Sequence, residues 1–225
     1  MSGPGESGPR VSAPAPRSPG GVTRVLATAA GLMLVEATPD GIARLVQVDA
    51  DQVDPDQLDA EQLDADPLDH RDAAATWFNV KHRDDDEGRD PEPGAAAEHL
   101  ARLAEQVEDY LAGRLRGFDV PLDWAAAGVH DEFSREVYRE IQHIPYGETS
   151  SYGQVSIDAG RPRNARRVGR LCTLVPVPFV IPVHRVIRAD GGMGNCPEYR
   201  LRLLEHERRN IAAERAGKPG PLPFR

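Results

Sequence analysis

The stretch IPYGETSSYGQVSIDAGRPRNARRVGR, Ile144 to Arg170, punctuates itself into turn, short helix, turn and longer helix. Ile144-Pro145-Tyr146-Gly147 reads as a turn. Ser151 then stands at an N-cap position with Gln154 three residues on, the spacing of a capping box. A short helix follows from Tyr152 to Ala159 and stops at Gly160. Pro162 opens a further helix that runs to about Leu174. Upstream, Asp131 to Gln142 is an amphipathic helix with Phe133, Val137 and Ile141 on one stripe. Helix, short helix, turn, helix is the outline of a helix-turn-helix unit.

The last of these helices has two contrasting faces. At about 100° per residue, Arg163, Arg166, Arg167 and Arg170 fall within one stripe, and Ala165, Val168, Gly169 and Cys172 fall opposite. Arginines with no interleaved carboxylate repel one another unless an anion is present, which points to nucleic acid rather than a merely solvated face. Cys172, on the apolar side, reads as a small core residue rather than a nucleophile.

The whole chain of 225 residues has a net charge of −9, which taken alone speaks against a nucleic-acid partner. The charge is not spread evenly. Residues 1–128 hold 11 Lys/Arg against 25 Asp/Glu, and residues 129–225 hold 16 against 11, so an acidic front precedes a basic back. The acidic half weakens non-specific DNA affinity unless it is held away from the duplex. Two cysteines outside any CxxC pattern argue against a disulfide framework or a thiolate zinc site and suit a reducing cytoplasm. No cofactor and no metal are expected.

Residues 1–21 read as a disordered tail, because Gly, Pro and Ser dominate and no apolar run occurs. The apolar stretch Val25 to Val35 could be the core of a secretion signal. Gly31 and the turn-like Thr38-Pro39-Asp40-Gly41 favour a β-hairpin, and the run is too short to span a membrane. Residues 22–48 thus form a meander of short strands. Asp49 to Asp72 and Asp84 to Glu92 are acidic, near low-complexity runs, and residues 49–92 are expected to be a solvated insertion. Ala95 to Leu111 has helical spacing in Leu100, Leu103, Ala104, Val107 and Leu111, and Gly113 ends it. Phe118 to Leu122 reads as a short strand.

IPYGETSSYGQV (Ile144 to Val155), GRPRNARRVGR (Gly160 to Arg170), VPFVIPVHRVI (Val177 to Ile187) and LLEHE (Leu203 to Glu207) occur in that order with almost no gaps. In this they resemble the C-terminal domain of the O6-alkylguanine-DNA alkyltransferases. The resemblance covers Phe118 to about Arg209; residues 22–117 resemble the family's N-terminal domain in layout only. It implies an α+β fold: a degenerate N-terminal strand-and-helix domain (22–117, holding the acidic insertion), then a winged helix-turn-helix domain of the alkyltransferase type (118–210). Residues 211–225 are left as a C-terminal tail.

The family swings an alkylated guanine out of the duplex into a pocket, at a cost of a few kcal/mol in unstacking. By motif, Arg166 is the residue that fills the vacated stack and Tyr152 the one that helps rotate the backbone. Arg163, Arg167 and Arg170 are then phosphate contacts, approached from the minor groove. In the family's Pro-Cys-His-Arg run, a Glu orients the His, which lowers the thiol pKa through water. Here the run is Pro182-Val183-His184-Arg185, with Glu207 in LLEHE. Valine has no lone pair with which to attack, so alkyl transfer to position 183 is chemically impossible. His184 is then a hydrogen-bonded structural histidine, and Arg185 ties the loop to backbone carbonyls.

Two further departures fall on the pocket. Val175 stands where the family has a hinge asparagine, and Cys196-Pro197-Glu198 replaces a tyrosine and a Ser/Gly-rich loop about three residues longer. Val183, Val175, Cys196 and Pro197 are thus the expected lesion pocket. The nearest precedent is the alkyltransferase-like proteins, which lack the cysteine and bind alkylated guanine without repairing it. On that reading the chain is a monomeric cytoplasmic DNA-repair sensor whose partners are double-stranded DNA carrying O6-alkylguanine and proteins of nucleotide excision repair. Two alternatives stay open: a DNA-binding regulator or architectural protein, and an active alkyltransferase using Cys196.

Overall fold

The computed structural model describes residues 21–48, 76–79, 94–194, 197–217 and 220–224. The expected N-terminal tail, most of the acidic insertion and Cys196 lie outside the described residues.

Three strands form the expected meander: β1 (Val22–Thr28), β2 (Gly31–Thr38) and β3 (Gly41–Val48). Both turns are fixed by threonine hydroxyls. The Thr28 oxygen accepts from the Ala30 amide and that of Thr38 from the Asp40 amide, as turn-forming Ser/Thr side chains do. Gly41 has φ 147°, and a Cβ there would lie 2.6 Å from the Pro121 carbonyl oxygen, so only glycine fits. A fourth strand, β4 (Thr76–Asn79), pairs antiparallel with β1 and gives the order β3-β2-β1-β4. It falls inside the stretch expected to be a solvated insertion, and its four residues carry too little periodicity to be seen in the sequence.

Strand alternation sorts the side chains. Leu26, Met33, Val35, Ile42 and Leu45 face one way and meet Leu100, Leu103, Val107 and Tyr110 of α1 (Ala95–Leu111). Each such fully buried side chain contributes roughly 1.5–3 kcal/mol relative to exposure. Val25, Ala27, Leu32 and Val48 form a smaller cluster on the other face.

Residues Phe118 to Leu122 do not make the expected strand. Only Leu122 bridges, to Ile42, through the Ile42 amide on Pro121 and the Asp123 amide on Ile42. Pro121 has no N–H with which to extend the ladder.

The second half contains α2 (Glu132–His143), β5 (Ser150–Ser151), α3 (Tyr152–Asp158), α4 (Ala165–Thr173), a 3-10 turn (Val183–Arg185), β6 (Val186–Ile187) and α5 (Pro197–Arg215). β5 and β6 pair in parallel, Ser150 with Val186 and Ser151 with Ile187. Phe133, Val137, Tyr138 and Ile141 of α2 bury against Val155, Val168, Cys172, Ile181 and Val183. Tyr146, Val177, Phe179, Val180 and Leu203 belong instead to the core beneath the N-terminal sheet. The two halves therefore share apolar packing across the expected boundary at 117/118.

The described residues of the expected C-terminal tail, 211–217 and 220–224, are tied to the fold. α5 continues to Arg215, the Asn210 side chain bonds both the amide and the carbonyl of Leu222, and the Phe224 amide donates to the Leu111 carbonyl. Phe224 is buried against His206. No helix among the described residues is long and apolar enough to cross a membrane.

Candidate nucleic-acid interface

The turn between α3 and α4 is held from inside. Ser151 caps α3, its hydroxyl accepting from the Gln154 amide. Ser156 is fully buried; its hydroxyl donates to the Arg161 carbonyl and accepts the Asn164 amide. Ser156 had no signal in the sequence, because a serine inside a short helix ordinarily faces water.

α4 begins at Ala165, not Pro162. Arg163 sits in the preceding turn at φ 69°, and Asn164 bonds the Arg161 and Pro162 carbonyls. Asparagine at this point bonds local backbone and delays the helix. The expected stripe of four arginines is thus reduced on the helix itself to Arg166, Arg167 and Arg170, all exposed, with Arg163 exposed beside them. Val168 and Cys172 are buried on the opposite side. Burial pushes the Cys172 thiol up to about 12, so it is an inert apolar residue.

No carboxylate interleaves the arginines along α4, but one reaches them from another helix. Asp131, the N-cap of α2, pairs with Arg167 at 2.5 Å, and the Arg167 guanidinium lies 4.8 Å from the Phe133 ring centroid. Hydrogen bonds from Ser134 hold the Asp131 carboxyl below its usual value despite slight desolvation. The helix-cap signal of Asp131 was legible; its reach across to α4 is tertiary.

Behind α4, Tyr138 stacks on Trp124 and donates to the Leu171 carbonyl. Tyr152, half-buried, packs on the same cluster as Val183 and Val175. Val183 is 4% exposed and sits at the start of the 3-10 turn. Pro197 is exposed at the first position of α5.

Next to Val183 lies a closed polar network. His184 Nε2 donates to Glu207 Oε1 at 2.8 Å, and Arg185 Nε and Nη2 donate to the same carboxylate. The Tyr110 hydroxyl also donates to Oε1 at 2.7 Å, and the Gly147 amide donates to Oε2. Arg185 Nη1 reaches the Ile144 carbonyl at 2.7 Å and Nη2 the Arg116 carbonyl at 3.3 Å. Burial opposes the Glu207 charge, but the hydrogen bonds from His184 and Arg185 and the Arg185 cation outweigh it and hold the carboxyl well below the usual range. Burial pushes His184 below its usual value against the opposing pull of the Glu207 carboxylate, and the Arg185 and Arg200 cations add to the lowering. A neutral imidazole therefore donates to an ionised carboxylate. Tyr110, contributed by α1, was missed in the sequence, although it follows Val107 at helical spacing. No group of three or more potential metal-binding His, Cys, Asp or Glu side chains occurs among the described residues.

A family model described as the DNA-binding domain of 6-O-methylguanine DNA methyltransferase matches residues 132–209. The methylated-DNA–protein-cysteine methyltransferase of Mycolicibacterium paratuberculosis is 42% identical over 117 residues, which cover 51% of this chain and 68% of that protein. The chain belongs to this family. The crystal structure of the Mycobacterium tuberculosis O6-methylguanine methyltransferase superposes with a TM-score of 0.57 at 24% identity, covering 84% of this chain and 93% of that one. The structure of Mycobacterium tuberculosis OGT in complex with DNA gives 0.55 at 24% identity, covering 82% and 91%. The superposed length extends well beyond residues 132–209, so the family's fold includes the N-terminal sheet as well as the helical half.

Proposed function

We propose that this member of the family binds double-stranded DNA and recognises O6-alkylguanine without transferring the alkyl group. One observation carries the reading. Val183, packed in the core, stands where the family resemblance puts the nucleophile, and beside it the His184–Glu207 pair is assembled. A side chain with no lone pair cannot accept an alkyl group, yet the surrounding architecture keeps its form.

The exposed Arg166 and Arg170 on α4 support DNA binding, and the α3–turn–α4 unit with β5 and β6 beside it supports a winged helix-turn-helix reading. Arg166 fills the stack left by the flipped base, Tyr152 helps rotate the backbone, and Val183, Val175, Cys196 and Pro197 form the pocket that receives the base. Arg163 and Arg170 contact phosphates.

The deciding measurement compares binding to a duplex carrying a single O6-methylguanine with binding to the same duplex unmodified. A preference for the modified duplex, lost in Arg166→Ala while plain-duplex affinity stays within a few-fold, supports flipping and lesion recognition. Equal affinity for both duplexes replaces this reading with a plain DNA-binding protein. Incubation with DNA bearing a labelled O6-methyl group should leave the protein unlabelled; stoichiometric labelling would point to Cys196.

A further inference from the structure

Arg200, in the first turn of α5, is 7% exposed. Its Nη2 donates to the Cys172 carbonyl at 2.6 Å, in the last turn of α4. Its Nη1 is buried and makes no well-formed hydrogen bond with the described residues, although the Tyr152 hydroxyl lies near enough for the guanidinium to act on it. Glu207, the buried carboxylate of the region, is already taken by His184, Arg185, Tyr110 and Gly147. A guanidinium cannot shed its proton in a protein, so Arg200 stays charged with half of its fork unused. Buried charges are otherwise paired, because solvation is lost on burial.

The unused nitrogen has a direction. A Cβ built on Gly194 would lie 3.2 Å from Arg200 Nη1 and 2.3 Å from the Tyr152 hydroxyl, so the two groups converge on a glycine that puts no side chain between them. Tyr152 packs on the cluster that contains Val183 and Cys172. The cation thus lies on the Tyr152 side of the cluster that contains Val183, and its field is felt at His184.

We propose that Arg200 receives an oxyanion carried by the bound DNA, at the Tyr152–Gly194 edge of the pocket beside Val183. The inference rests on the DNA-binding reading above and adds the chemistry of the ligand. Two groups on a flipped nucleotide offer that chemistry: a carboxylate at the end of an O6-carboxyalkyl substituent, and a backbone phosphate next to the flipped base. Either would complete the guanidinium fork with charge-assisted hydrogen bonds.

The test uses the full chain with Arg200→Gln, Arg200→Met and Arg200→Lys. Each is titrated at one salt concentration against duplexes carrying guanine, O6-methylguanine or O6-carboxymethylguanine. Methionine replaces the buried cation by an apolar chain of similar length, so it carries the test if the glutamine variant does not fold. Gln and Met should weaken lesion binding by about tenfold or more, and Lys, which keeps the charge, by less. Loss confined to the carboxymethyl duplex assigns the anion to the O6 substituent, whereas equal loss on both lesion duplexes assigns it to phosphate. Wild-type affinity of Gln and Met on all three duplexes overturns the proposal. Wild-type protein that binds all three duplexes alike defeats lesion recognition instead, and Arg200 is then judged by whether Gln and Met weaken that common affinity.

Discussion

Glu207 accepts hydrogen bonds from His184, Arg185, Tyr110 and Gly147 with no exposed surface of its own. Glu207→Gln would leave the Arg185 charge buried without its anion, and a denaturant melt should show a loss of about 3–5 kcal/mol. The network also sets an acid profile. His184 is held below 6.5, so its unfolded form binds a proton first; its stability contribution is complete above 6.5 and declines as pH falls below that value. Glu207 is lowered from 4.5 to about 2, so its contribution is complete above 4.5 and is lost as pH falls toward 2. Stability against pH should therefore fall in two stages; His206, lowered likewise by burial, shares the upper one, so His184→Gln should reduce it without removing it. A single decline below 4.5 in the wild type would rule out a buried neutral His184. At the neighbouring position, Val183→Cys should restore labelling from O6-methylguanine DNA, since the His184–Glu207 pair is already assembled. An unlabelled, folded Val183→Cys protein would show that the pocket itself has changed.

Across elements, Asp131 links the start of α2 to the exposed face of α4. As an N-cap it accepts from the Ser134 amide, and its carboxylate also holds Arg167. A phosphate must displace that carboxylate before Arg167 can contribute to DNA binding. Asp131→Asn keeps a side chain suited to the cap but removes the charge. It should raise duplex affinity and steepen the slope of log K against log salt by about one unit. Arg167→Ala should accordingly cost less affinity than Arg170→Ala. Equal losses for the two arginine variants, with Asp131→Asn unchanged, would mean that the ion pair does not restrain Arg167. The turn behind this face depends on Ser156: Ser156→Ala leaves the half-buried Asn164 amide without its acceptor and the Arg161 carbonyl with the Asn164 side chain as its remaining donor, at about 1–3 kcal/mol.

For the molecule as a whole, the acidic front and basic back do not correspond to separate folding units. The Leu45 amide bonds the Pro176 carbonyl, Tyr110 of α1 bonds Glu207 of α5, and Phe224 closes on Leu111. Tyr146, Phe179 and Leu203 lie in the core beneath the N-terminal sheet. Thermal unfolding followed by far-ultraviolet circular dichroism and by tyrosine absorbance should therefore give one coincident transition. Two separated transitions would show that the halves fold independently. A chain beginning at residue 118 would expose those three large side chains and should not unfold cooperatively.

Local chemistry was enough for much of this. The Ser151 and Asp131 caps, the Thr38 to Gly41 turn, the period of α1 and α2 and the apolar side of α4 each depend on residues within a few positions of one another, and the sequence contains those relations directly. The valine at position 183 likewise needs no coordinates to exclude transfer there. What the tertiary structure decided rests on long-range pairs: Arg167 with Asp131, Arg185 and Tyr110 with Glu207, the packing of the C-terminal segment on α1, and the half-used guanidinium of Arg200. Charge and burial at these positions come from residues tens of positions away, and no periodicity records which carboxylate a given arginine will meet.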